Sequence, residues 1–93
     1  MTRKENIDIL WHSLFDLLKT YKSNHRARTF VHLSVRYDED LLNNVAELKT
    51  LKGDDLSEAI SHVRAKLMIC EATEMISPGD VERMQKQLDT IAV

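Results

Sequence analysis

One cysteine, one proline and two glycines in 93 residues are few, and each scarcity narrows what the chain can be. A lone thiol, Cys70, cannot close a disulfide within the chain and suits a reducing compartment. So few proline and glycine residues leave little turn chemistry, which favours long helices over a sandwich or barrel. No run approaches the ~18 to 20 apolar residues needed to cross a bilayer. The N-terminus also lacks a secretory signal, an apolar core followed by small residues. A cytoplasmic protein with no membrane partner is expected. Gly53 and Gly79 stand alone, so there is no glycine-rich phosphate loop.

What is present describes one small soluble domain over residues 1–93. Hydrophobic content of 43% and charged content of 30% are ordinary for a globular chain. At this size surface is large relative to core, which favours oligomerisation. The net charge of −2 is unevenly placed. Residues 1–36 carry seven Lys/Arg against three Asp/Glu, and residues 37–93 carry six against twelve. Such a split can bring a basic end to a polyanion while the acidic remainder faces elsewhere.

Apolar spacing organises the chain. Over residues 1–22, Ile7, Leu10, Trp11, Leu14, Phe15, Leu17, Leu18 and Tyr21 predict an N-terminal amphipathic helix. The stretch KSNHRAR (22–28) then reads as a connector. Leu41, Leu42, Val45 and Leu48 give a second helical stripe, ending near Gly53 as a left-handed cap. Asp54 or Asp55 can cap a third helix holding Leu56, Ile60, Val63 and Leu67, which should run to about Met75. In SPGD, Ser77 as cap with Pro78 at the first helical position starts a last helix over 78–92. That helix carries Val81, Met84, Leu88 and Ile91. Met68, Met75 and Met84 read as core fillers.

Between the first two stripes, FVHLSVRY alternates. Leu33, Val35 and Tyr37 fall on one side, and His32, Ser34 and Arg36 on the other. Ala27, Phe30, Val31, Ser34 and Val35 would also fit a helix, but β-favouring residues and strict alternation predict a strand. A single strand leaves its backbone donors and acceptors unpaired. A second copy of the chain could pair with it antiparallel about a two-fold axis.

The order strand, helix, glycine turn, helix resembles the ribbon-helix-helix DNA-binding family of Arc/MetJ type. VRYDEDLLNNVAELKTLKG (35–53) followed by DDLSEAI (54–60) carries the similarity, through Val35-Arg36, Leu41-Leu42, Gly53 and Ser57-Glu58. The resemblance implies a mainly α ribbon-helix-helix homodimer with one intermolecular β-strand per chain. Residues 29–75 would form that unit, with extra N- and C-terminal helices outside it. It further implies a dimeric repressor or accessory factor reading double-stranded DNA in the major groove. His32, Ser34 and Arg36 would read bases, and Lys22, Arg26 and Arg28 would neutralise phosphates. Leu33, Val35, Tyr37, Leu41, Val45 and Ile60 would form the dimer core. Asp54 and Asp55 depart from the family, since they stand where a helix N-terminus would hold a phosphate.

The rival expectation is an all-α helical bundle whose function is a protein–protein interface, as an adaptor, chaperone or inhibitor. Its acidic C-terminal half would then meet a basic partner. An antitoxin would combine both roles. Trp11, Phe15, Leu18 and Tyr21 offer a surface for a protein partner or a further copy, as does the last helix. An enzyme is not expected, because His12, His25, His32 and His62 are scattered and none sits beside Cys70 as a nucleophile pair would. Glu58 and His62, four apart, are too few for a metal site, so no cofactor is expected.

Overall fold

The computed structural model describes residues 2–25 and 31–92, with side chains described for 2–21 and 39–92. It has four helices in chain order: α1 (Arg3–His25), α2 (Val31–Glu47), α3 (Gly53–Ala72) and α4 (Pro78–Ala92). Among the described residues there is no strand.

This overturns the expected ribbon-helix-helix homodimer with an intermolecular strand. The alternating stretch forms the first two turns of α2, in one frame with the Leu41, Val45, Leu48 stripe. Elongating a helix that already has a nucleus adds one backbone hydrogen bond for each residue fixed. A strand here would have had no partner within the chain. Helical backbone meets the hydrogen-bonding need internally, so a twin is no longer required to complete it. The alternative, an all-α helical bundle, describes the molecule.

Each helix packs on two others: α1 on α2 and α4, and α3 on α2 and α4. The diagonal pairs do not touch closely, so the four close into a ring around one core. The direction of each neighbour follows from specific contacts. Lys49, just past α2, pairs with Asp8 near the start of α1, which sets those two helices antiparallel. Gln87 Nε2 near the end of α4 donates to the Asn6 carbonyl at 3.2 Å, so α4 also runs against α1. Arg64 meets Gln85 and Asp89, which reverses α4 against α3. The result is an up-down-up-down bundle measuring 41 × 21 × 20 Å.

Its core is the set of apolar stripes read from spacing. Ile7, Leu10, Leu14 and Leu18 of α1 meet Leu41, Val45 and Leu48 from α2 and the turn after it. Leu56, Ile60, Val63, Leu67 and Cys70 of α3, and Val81, Met84, Leu88 and Ile91 of α4, complete it. Burying each such side chain contributes roughly 1.5 to 3 kcal/mol before chain entropy is counted. Met68 is the exception among expected core residues: it is 53% exposed, on the outer side of α3.

The helix ends show how the sequence punctuates itself. At α4, the Asp80 N–H donates to Ser77 Oγ at 3.3 Å while the Ser77 hydroxyl donates to the Asp80 carboxylate at 2.9 Å. Thr2 and Glu5 make the same pair of bonds at the head of α1, each 3.2 Å. The helix α3 starts differently. Its cap is Lys52, which makes no side-chain capping bond, and Asp54 and Asp55 lie in the first turn instead of capping it. Negative charge there still offsets the positive end of the helix dipole. Gly53 has φ 59, a left-handed value that glycine adopts without strain.

The helix α3 ends at Ala72, three residues short of the expected Met75. The Met75 N–H donates to the Cys70 carbonyl at 2.9 Å, and the Glu74 N–H to that of Glu71 at 3.1 Å. With Glu74 at φ 61, this is a Schellman stop built on glutamate where glycine is usual. At the other boundary α1 runs through His25, so Lys22, Ser23, Asn24 and His25 are helical instead of connector.

Candidate functional site

The expected DNA-reading row no longer exists as a row. In α2, His32 and Arg36 are one turn apart on a shared helical face, and the helical period carries Ser34 to the opposite side. Likewise Leu33 and Tyr37 share a face, while Val35 does not. Of the three expected phosphate contacts, Lys22 lies in the last turn of α1. Arg26 and Arg28 lie outside the described residues. Leu41, Val45 and Ile60 are buried in the core of the single chain.

The aromatic surface expected on α1 divides. Leu18 and Tyr21 are buried, at 1% and 7% exposure. Trp11 is half-buried and Phe15 is 40% exposed, with their rings stacked at 5.3 Å and 9°. His12 meets the Trp11 ring edge-on at 5.2 Å. Phe15, Leu18 and Lys19 share a recess of about 220 Å³ with Leu42 of α2.

A larger feature lies between α2 and α3. Ala59 stands partly buried on the α3 side of the seam. The feature is a cleft of about 600 Å³. Leu51 and Ala59 are partly buried against the core and form its apolar base. Asn44, Ser61, His62 and the exposed Ala65 line its walls.

Three carboxylates complete the lining: Glu47 at the end of α2, and Asp55 and Glu58 on the first turns of α3. All three are exposed. No lysine or arginine is in the lining. Lys66 lies near and donates to Asn44 Oδ1 at 2.5 Å, tying α3 to α2 at that point. Lys49 is turned away toward Asp8. Spacing had singled out Glu58 and His62 only as an i,i+4 pair. The fold adds Glu47 and Asp55 beside them, which no local signal joins. Among the described residues, no three His, Cys, Asp or Glu side chains are grouped to hold a metal ion.

The opposite seam contrasts with this cleft. Arg64 Nη1 donates to the Gln85 carbonyl at 3.2 Å and to Gln85 Oε1 at 3.0 Å, and Arg64 Nη2 meets Asp89 at 2.5 Å. Gln85 Nε2 returns a bond to the Arg64 carbonyl at 3.3 Å. Those bonds close α3 on α4.

No protein-family model, curated protein or solved structure matches this chain. No helix among the described residues is long and apolar enough to cross a membrane.

Proposed function

We propose that the chain is a helical protein–protein interaction module, an adaptor or inhibitor working in the cytoplasm without chemistry of its own. The observation that carries this reading is the α2/α3 cleft. It has an apolar base and polar walls and lies between two helices. Grooves of this form take an amphipathic helix from another protein, which lays its apolar face on the base. Lone Cys70 is buried within α3 and exposes no thiol to a substrate.

Selection from a displayed library of helical segments tests the reading. Binders should share one site and lose binding to an Ala59→Arg chain, in which the new side chain occupies the cleft. Ala59 lies at a helical position where arginine preserves backbone propensity, and circular dichroism checks that the fold persists. Binders indifferent to Ala59→Arg, or the absence of binders, would count against the module.

A further inference from the structure

We propose that the segment seated in the α2/α3 cleft is a cationic amphipathic helix. This rests on the interaction reading above and names the partner's chemistry. Three observations support it.

The first is uncompensated charge. Glu47, Asp55 and Glu58 bring three carboxylates to one cleft, and none makes an ion pair or side-chain hydrogen bond with a described residue. Lysine or arginine side chains from a partner would face complementary charge there.

The second is the placing of Glu47. It is the last residue of α2, whose final turn holds no basic residue. A helix C-terminus carries partial negative charge and favours a cation, so a carboxylate there is locally unfavourable. Asp55 suits the start of α3 and can be explained by that helix alone. Glu47 has no such explanation, and a bound cation would relieve it.

The third is the exposed apolar residue that continues the cleft. Ile69 is 50% exposed and lies one turn beyond Ala65 on α3. From Asp55 to Ile69 the axial distance is about 21 Å at about 1.5 Å per residue, which matches a partner helix of about 14 residues. Asp40, one turn before Asn44 on α2, puts a further exposed carboxylate at the Ile69 end of that track, so a partner meets negative charge along its length.

Three helical peptides of about 14 residues, sharing one apolar stripe, would be titrated into the isotope-labelled full chain. One carries lysines, one has these replaced by glutamine, and one by glutamate. The lysine peptide is expected to shift the backbone signals of Ala59, Ala65 and Ile69. It should bind at least about tenfold tighter than the glutamine peptide and weaken with added salt. Glu47→Gln is expected to weaken this binding while raising the melting temperature of the free chain. A residue with only a structural role would not give that opposite pair.

Equal or tighter cleft binding by the glutamine or glutamate peptide would overturn the cationic partner and leave the interaction module standing. If no peptide shifts the cleft residues, both the partner class and the module reading fail.

Discussion

At the level of single residues, Gly53 and Leu67 show two different kinds of constraint. Gly53 has nothing within 4 Å of where a Cβ would stand, so a larger side chain meets no obstacle. Its left-handed backbone sets the cost instead. Gly53→Ala should destabilise by about 1 kcal/mol, read from the shift in urea midpoint at constant slope. Leu67 is fully buried in the core, and its truncation leaves a void. Leu67→Ala should cost about 2 to 5 kcal/mol, a large share of the stability of so small a domain. Aliphatic spacing was visible in the sequence, but Gly53, expected as the cap that ends the second helix, opens α3 instead, since α2 already stops at Glu47. The exposure of Met68 was not visible, because the outer side of α3 also carries apolar residues, Met68 and Ala72 among them. Linear spacing has no means of telling which side of a doubly apolar helix meets the neighbours.

Among whole elements, the clearest lesson lies in residues 31–37. Period-two alternation and β-favouring side chains pointed to a strand, yet the segment is the start of α2. Two facts outweighed propensity: an in-frame helix already followed, and no second strand existed to pair with. Backbone chemical shifts for residues 31–38 should be helical in the isolated chain. Extended values would refute the bundle. The stop of α3 was hidden for a related reason, since the left-handed position that glycine usually announces holds Glu74. Glu74→Gly should therefore stabilise the protein by up to about 1 kcal/mol, measurable as a higher melting temperature. At α4 the signal in SPGD corresponds to bonds that form, and Ser77→Ala should cost about 1 kcal/mol. The matching Thr2–Glu5 pair was equally available in the sequence as a threonine and a glutamate three apart.

Across the whole molecule, α4 closes the ring, because it covers α1 and α3 together. Removing residues 78–93 would uncover Ile7, Leu10 and Leu14 at once. The shortened chain should keep helical circular dichroism while losing dispersed side-chain resonances and binding a hydrophobic dye. Sharp, dispersed spectra from that fragment would show that three helices suffice. The stripes fix which residues enter the core, but not which helices become neighbours. For that reason the carboxylates of Glu47, Asp55 and Glu58 could be read singly but not as one cluster.

The two flanks of α3 are secured by different bonds, a latch through Arg64 on one side and Lys66 reaching Asn44 on the other. Covalent linkage through residues 48–52 also holds the α2 flank shut at its Gly53 end. Any widening must then resemble a peg spreading a clothes-pin, greatest at the far mouth beside Ile69 and nil at the pivot. Entry from that mouth would leave the Arg64 latch and the α1–α4 wall undisturbed, so a guest could be admitted without dismantling the house.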